Sequence, residues 1–204
     1  MARLFVAAEI DPSLARELGR VSGEMRQQVE ARAPRAQVTW VPPERLHFTV
    51  HFIGEVAADR AEAIKAALAQ PLGVPAFDLT VAGLGTFPTR GTPRVVWVGV
   101  GDGREALIAL EREVTGRLGN FRLKAEATGT AQAAGTAKAR YTPHLTLARV
   151  RDAAGLRPRD LLRLAPQGPF GTTHVGAITL FESRLSPKGP QYLALQSTDL
   201  RSAI

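Results

Sequence analysis

The chain carries the same four-residue pattern twice: histidine, apolar residue, threonine, apolar residue. The copies are His47-Phe48-Thr49-Val50 and His144-Leu145-Thr146-Leu147. Each lies in a stretch typical of a β-strand, in which successive side chains point to opposite faces. The histidine and the threonine of each copy therefore share one face, and the two apolar residues point into the opposite, buried layer. The pattern predicts two half-buried strands, each presenting an imidazole beside a hydroxyl.

If the two strands face each other, they supply an acid, a base and two hydrogen-bond donors. Imidazole suits both proton-transfer roles because its pKa lies near neutrality. This set suits attack on a phosphodiester with departure of an alkoxide, and it needs neither a metal nor a cofactor. Two other interpretations stay open: buried structural histidines, or a histidine-based metal site. No carboxylate or cysteine stands at ligand spacing near either motif, which disfavours the metal site.

Composition narrows the class of protein and its partners. The 204 residues carry a net charge of +7, which favours anionic partners such as nucleic acid. The absence of cysteine excludes disulfides and thiolate metal sites. No run of about 18 apolar residues occurs, so we expect no membrane span. The N-terminal apolar stretch is too short for a signal peptide, which makes the cytoplasm the default location. The sequence has no partner signature, so we expect a monomer.

The order of predicted elements indicates an α+β fold. Apolar periodicity and turn signals give strands near residues 3–10, 38–41, 45–53, 77–81, 94–100, 143–150, 174–184 and 191–198, and helices near 12–33, 58–70, 103–118 and 159–164. This order does not alternate regularly enough for a doubly wound sheet, so we expect largely antiparallel sheets with outer helices. Because the motifs lie near the middle of each half, we predict one domain over residues 1–204, built of two pseudo-symmetric lobes around a central cleft. Residues 124–139 are low in complexity and are interpreted as a flexible surface loop.

Two segments around the motifs resemble a known family. Residues 40–55 and 141–149, read with residues 3–7, 94–100 and 180–192, resemble the 2H phosphoesterases. Within these they are most similar to the RNA 2′,3′-cyclic phosphodiesterases, which are also called LigT-like proteins or 2′-5′ RNA ligases. The resemblance covers nearly the whole chain. The chain departs from the family pattern in two places: the 124–139 segment is longer than usual, and His51 stands where lysine or arginine is commoner.

The resemblance implies hydrolysis of a 2′,3′-cyclic phosphate at an RNA end to a 2′-phosphate. It implies His47 as proton donor, His144 as proton acceptor, and Thr49 and Thr146 as ligands of the phosphoryl oxygens. Run in reverse, the same pair would join such an end to a 5′-hydroxyl. The alternatives are a phosphodiesterase acting on a small cyclic nucleotide or an ADP-ribose cyclic phosphate, and an RNA-binding protein with an idle site.

Two further residues are candidate substrate contacts. His51 lies four positions after His47, so strand alternation places it on the motif's face; a solvent-facing role at the strand end is the alternative. Alternation places Arg149 opposite His144, in a structural salt bridge, unless a bulge turns it toward the phosphate. His174, by contrast, has no motif context and is interpreted as structural. Trp40, Phe48 and Trp97 could stack on bases, but core packing is favoured for Phe48 and Trp97.

Overall fold

A computed structural model of the chain describes residues 1–119, 141–186 and 189–202. The strands are β1 Ala2–Glu9, β2 Gln37–Trp40, β3 His47–Val56, β4 Leu72–Pro75, β5 Phe77–Phe87, β6 Val95–Val100, β7 Leu145–Asp152, β8 Gly171–Val175, β9 Ala177–Ser186 and β10 Gly189–Arg201. The helices are α1 Pro12–Arg32, α2 Ala58–Ala67, α3 Arg104–Arg117 and α4 Pro158–Leu162, with a 3₁₀ turn at Pro43–Arg45. No helix in these ranges is long and apolar enough to cross a membrane.

The strands form one mixed sheet in the order β4-β10-β9-β1-β3-β7-β6-β5-β8, and β2 pairs with β7. The pairs are antiparallel apart from β10 with β4. The predicted α+β class with a largely antiparallel sheet is therefore confirmed. Strands β3 and β7 divide the sheet into a first half-sheet, β4-β10-β9-β1-β3, and a second half-sheet, β7-β6-β5-β8 with β2. The two motif strands meet at this division, and their ladder is a single pair, Phe48 with Leu145.

One hydrophobic core holds the helices against the sheet. Helix α1 buries the periodic residues that predicted it: Leu14, Leu18, Val21, Met25 and Val29. Helix α3 likewise buries Leu107, Leu110 and Val114. The core also contains the apolar residues of both motifs, Phe48, Val50, Leu145 and Leu147. The opposite face of the sheet, which carries His47, Thr49, His144 and Thr146, is called the motif face below.

Several predicted boundaries are wrong for identifiable reasons. Strand β3 does not end at Gly54 but passes through it, because a positive φ of 92° accommodates a bulge there. The sequence also missed β4, and the last predicted pair of strands is three strands, β8, β9 and β10. Asp11 precedes α1 as expected but does not cap it, since its carboxylate accepts a hydrogen bond from the backbone N–H of His174 on β8 instead. The predicted loop at 124–139 lies outside the described residues.

Candidate active site

The two motifs come together because their strands are neighbours. Phe48 pairs with Leu145, and each of these two residues stands between the histidine and the threonine of its own motif. Because Phe48 and Leu145 are fully buried on the core side, these four polar residues all lie on the motif face. The expectation that strand alternation places each histidine beside its threonine thus holds in the structure.

The hydrogen bonds of the two imidazoles are alike. The Nδ1 of His47 lies 2.8 Å from the carbonyl oxygen of Arg45, and the Nδ1 of His144 lies 2.7 Å from that of Thr142. A carbonyl oxygen only accepts, so both Nδ1 atoms carry the proton and both neutral rings present an unprotonated Nε2. The Nε2 of His47 accepts a bond from the hydroxyl of Thr49 at 3.2 Å. The site therefore offers two nitrogens that can take up or release a proton.

Aromatic rings surround both imidazoles and remove water from them. His47 lies 5.1 Å from the ring of Phe5 and 5.4 Å from that of Tyr192, centroid to centroid. His144 lies 5.1 Å from Phe87 and 6.0 Å from Trp97. Burial lowers the pKa of both histidines, while the carbonyl bonded to each Nδ1 acts in the opposite direction. Neutral imidazole is thus favoured at both positions in the unliganded site.

Arg149 faces the site because of a bulge in β7. Thr146 pairs with Trp97 and Ala148 with Val96, so Leu147 has no partner in β6 and the alternation of side chains shifts by one residue. Arg149 consequently shares the motif face with His144 and Thr146. Its guanidinium charge lowers the pKa of both imidazoles, after the larger effect of burial. Of the two placements considered from sequence, the bulged one is correct.

His51 does not lie on the motif face, and this expectation is wrong. Thr49 pairs with Ala7 and His51 with Val6, so Val50 is an extra residue in β3 and reverses the alternation after it. The Nδ1 of His51 lies 2.9 Å from the hydroxyl of Thr115 on α3, which in turn donates to Glu111 at 2.7 Å. His51 is therefore bound to a helix on the core side of the sheet.

Two site residues escaped the sequence analysis. Glu9 is the register partner of His47 on β1, and its carboxylate accepts a hydrogen bond of 2.9 Å from the hydroxyl of Thr179 on β9. Its charge raises the pKa of His47, although burial dominates. The hydroxyl of Tyr141 donates to the carbonyl oxygen of Thr49 at 3.0 Å. Both contacts join residues distant in sequence, so no local pattern could have indicated them.

The remaining candidates have plain structural surroundings. The Nδ1 of His174 forms an exposed hydrogen bond of 2.7 Å with the carboxylate of its cross-strand partner Asp78, as its structural interpretation anticipated. Phe48 is fully buried, but Trp97 lies half-buried on the motif face, so core packing is the wrong interpretation for Trp97. Phe52, 52% exposed, lies on the motif face beside Phe5, with the Arg3 guanidinium 5.5 Å from its ring centroid. Among the described residues, no cluster of three or more histidine and acidic side chains could hold a metal ion.

Comparison with known proteins agrees with this geometry. An RNA 2′,3′-cyclic phosphodiesterase of Archaeoglobus fulgidus is 30% identical over 95% of this chain and 98% of its own length. A second protein of that name, from Aeropyrum pernix, is 35% identical over 80% of this chain and 86% of its own. Among solved structures, TT0787 of Thermus thermophilus superposes with a TM-score of 0.65 at 28% identity, covering 98% of each chain. Escherichia coli LigT complexed with 3′-AMP gives the same TM-score at 22% identity and shares the fold, again over 98% of each chain.

A family model spans most of the chain and both motifs. The model of the 2′-5′ RNA ligase superfamily matches residues 5–186, from the middle of β1 to the end of β9. The match therefore includes both histidines and both threonines of the site. The chain belongs to the 2′-5′ RNA ligase superfamily.

Proposed function

We propose that this protein hydrolyses the 2′,3′-cyclic phosphate at an RNA end to a 2′-phosphate, by acid and base catalysis with two histidines and without a metal. The observation that carries the proposal is the convergence of two imidazoles with unprotonated Nε2 atoms beside two threonine hydroxyls. The names of the relatives support the choice of substrate. The net charge of +7 suits a polyanionic substrate.

In this mechanism His144 removes a proton from water through Nε2, and the water oxygen attacks phosphorus. The bond from phosphorus to O3′ breaks, and His47, in its doubly protonated form, gives the proton on Nε2 to the departing oxygen. Thr49 and Thr146 hydrogen-bond the non-bridging oxygens, where negative charge increases in the transition state. Arg149 supplies a positive charge on the same face and neutralises part of that increase.

The charges around the two histidines favour these roles. The charged and titratable groups facing His47 are Glu9 from β1, His144 and Arg149 from the second half-sheet, and Tyr192 from β10. Glu9 is the anion in this set, and it favours the protonated form that a general acid requires. No carboxylate acts on the pKa of His144 within the described residues. Glu9 is accordingly a positioning residue: burial favours neutral imidazole at both positions, and the Glu9 charge makes protonation of His47 easier than that of His144.

The test uses an end-labelled RNA with a 2′,3′-cyclic phosphate, incubated with the protein in EDTA, and identifies the product end. We expect a 2′-phosphate. The His47→Ala and His144→Ala variants should each lose a factor of about 10²–10⁴ in rate, the usual contribution of a positioned acid or base, while remaining folded. Lys65→Ala, which removes a half-buried cation of α2 that pairs with Glu62, is the matched control and should keep full activity.

The outcomes separate the alternatives. Turnover only of mononucleotide or ADP-ribose cyclic phosphates would assign a smaller substrate to the same chemistry. Salt-sensitive RNA binding without turnover would indicate an idle site. Full activity in both histidine variants would refute the two-histidine mechanism.

A further inference from the structure

We propose that Arg3 and Phe52 bind the upstream nucleotide, which is the one that precedes the nucleotide carrying the cyclic phosphate. Arg3 takes the phosphate that joins these two nucleotides, and Phe52 takes the base of the upstream one. The protein then prefers an RNA chain to a mononucleotide cyclic phosphate. The inference rests on the proposed function, because the roles of His47 and His144 orient the RNA.

The roles of the two histidines determine the side of the site on which the RNA lies. Water attacks from the side of His144, and the departing O3′ lies on the opposite side, next to His47, because the two oxygens are roughly in line through phosphorus. O3′ stays bonded to the terminal ribose, so this ribose lies on the His47 side as well. The ribose and the chain attached to its 5′ carbon therefore extend over the first half-sheet, which contains β1 and β3.

Aromatic side chains of the first half-sheet lead away from His47 on the motif face. The ring of Phe5 lies 5.1 Å from that of His47, centroid to centroid, and Phe52 is the register partner of Phe5. Phe5 is only 4% exposed, and Phe181 stacks on it at 5.3 Å and 20°, so Phe5 supports its neighbours but cannot receive a base. Phe52 is exposed, whereas every other aromatic side chain in the described part of the chain is buried or half-buried.

The distance between Phe52 and the reacting centre suits a group beyond the terminal nucleoside. Phe52 follows His47 by five positions in β3, which is about 15 Å of strand. This separation leaves room for the terminal nucleoside between the reacting phosphate and the ring of Phe52. A mononucleotide held at His47 therefore does not use the ring, and the upstream nucleotide of a longer chain does.

The guanidinium of Arg3 is held by the ring of Phe52 and not by a carboxylate. It lies 5.5 Å from the ring centroid, which is a cation–π distance. Arg3 and Phe5 are two positions apart in β1, so Arg3 also lies on the motif face. Glu55 is the register partner of Arg3, yet neither it nor another acidic residue of the described ranges forms an ion pair or hydrogen bond with Arg3. The positive charge is therefore oriented without being neutralised.

The pair presents the two kinds of group that bind a single-stranded nucleic acid. A guanidinium binds phosphate through directed N–H donors. An exposed aromatic ring stacks on any base, because every base has a π-face. Phe52 keeps its exposure of 52% with Arg3 against it, so the guanidinium does not cover the ring. The subsite should accordingly select for chain length and not for base sequence.

The experiment compares kcat/KM for three substrates in EDTA. Adenosine 2′,3′-cyclic phosphate has neither the upstream phosphate nor the upstream base. Its 5′-phosphorylated form has the phosphate alone, and the trinucleotide ApApA with a 2′,3′-cyclic phosphate has both groups. The ratios among the three values do not depend on the fraction of a variant that is folded.

We expect the unaltered protein to give the trinucleotide a kcat/KM at least about fivefold above that of the mononucleotide, the lower end of what stacking of one base contributes. Phe52→Leu should lower the value for the trinucleotide at least about fivefold and leave the other two within about twofold. Arg3→Gln should lower the values for the trinucleotide and the 5′-phosphorylated substrate about threefold or more, as for an exposed charge pair. It should also make the slope of log kcat/KM against log salt for the trinucleotide shallower by about 0.7, the share of one phosphate contact.

Two variants on the other side of the sheet are matched controls. Arg16→Gln removes an exposed cation of α1, the helix that packs on the core side. Phe77→Leu alters a ring whose register partner, Val175, is buried in the core. Both variants should leave the ratios among the three substrates unchanged.

Each other result overturns the inference. Equal kcat/KM for the mononucleotide and the trinucleotide in the unaltered protein would mean that no upstream subsite exists. Unchanged ratios in Phe52→Leu or Arg3→Gln, or an equal fall with all three substrates, would mean that the altered residue does not bind RNA. Absence of hydrolysis with all three substrates would refute the proposed function itself, and so differs from failure of the upstream subsite alone.

Discussion

The hydroxyl of Tyr141 supports the backbone at Thr49, and its removal should have a measurable cost. It donates a hydrogen bond of 3.0 Å to the Thr49 carbonyl oxygen, next to the bulge at Val50 and the single ladder pair that joins β3 to β7. Burial raises the pKa of Tyr141, and Glu111 adds to the rise, so the hydroxyl keeps its proton and acts as a donor throughout the working pH range.

The Tyr141→Phe variant keeps the ring and loses this one bond. A neutral hydrogen bond contributes about 0.5–1.5 kcal/mol, and a buried carbonyl left without a donor costs about 1–3 kcal/mol. We therefore expect the free energy of unfolding to fall by about 1–2 kcal/mol. For a chain of this size each kcal/mol lowers Tm by about 2–4 °C. Because Thr49 is a proposed phosphate ligand, kcat on cyclic-phosphate RNA should fall at least about threefold, with a smaller change in KM.

Calorimetry and steady-state kinetics on the same preparations test this prediction. Tyr192→Phe is the matched control, since the Tyr192 hydroxyl has no hydrogen-bond partner in the described part of the chain, and we expect less than about 0.5 kcal/mol of change. An unaltered Tm and kcat in Tyr141→Phe would show that the Thr49 carbonyl does not depend on this hydroxyl. A loss of stability with normal kcat would retain the bond but reject its role in placing Thr49.

Three further predictions follow from charged groups. Burial lowers the pKa of His47 and His144 in the folded chain, so the unfolded chain binds more protons below about pH 6.5. The free energy of unfolding should therefore fall as the pH drops below that value, by up to about 1.4 kcal/mol per pH unit for each histidine. Measurement of Tm against pH should show a shallower fall in the His47→Gln/His144→Gln double variant. Glu9→Gln removes the charge that favours protonated His47, so the basic limb of the pH profile of kcat/KM should move to lower pH. The control Glu182→Gln, which breaks the ion pair with Arg184, should leave that limb in place. Identical profiles for Glu9→Gln and the unaltered protein would refute the positioning role of Glu9. Glu113→Gln should reduce the free energy of unfolding, measured by denaturant titration, by about 1–2 kcal/mol. The reason is that the Glu113 carboxylate accepts hydrogen bonds from the backbone N–H groups of Gly73 and Val74 and pairs with Arg117. A loss below about 0.3 kcal/mol would contradict this account of how α3 holds β4.

Strand alternation predicted the central four residues of the site but failed one or two residues beyond them. It is reliable for His47 with Thr49 and for His144 with Thr146, because each pair spans a single regular repeat. His51 and Arg149 lie past bulges at Val50 and Leu147, and each bulge exchanges the two faces of its strand. Both bulged residues are ordinary apolar side chains without glycine or proline, so nothing in the local sequence distinguishes them from regular strand positions.

The residues that set the electrostatics depend on the order of strands, which local patterns do not contain. Glu9 reaches His47 only because β1 lies between β3 and β9. The position of the Trp97 indole likewise depends on Gly85 in the neighbouring strand, where a larger residue would displace the ring. Apolar periodicity identified α1 and α3, since core burial and helical spacing coincide there. It did not separate β8 from β9, because a single residue, Gly176, lies between the two strands.

The place of β1 in the sheet has a consequence for folding during synthesis. Glu9 is held by Thr179, a residue 170 positions later, and β1 stays unpaired on that side until β9 has left the ribosome. The strands β5, β6 and β7 adjoin one another in space and lie between these two along the chain, so most of the second half-sheet can form first. His47, the proposed general acid, belongs to the half-sheet that closes last. A nascent chain that has not yet produced β9 therefore carries both histidine motifs but lacks the strand that holds the Glu9 carboxylate beside His47, and we expect activity to arise only late in translation.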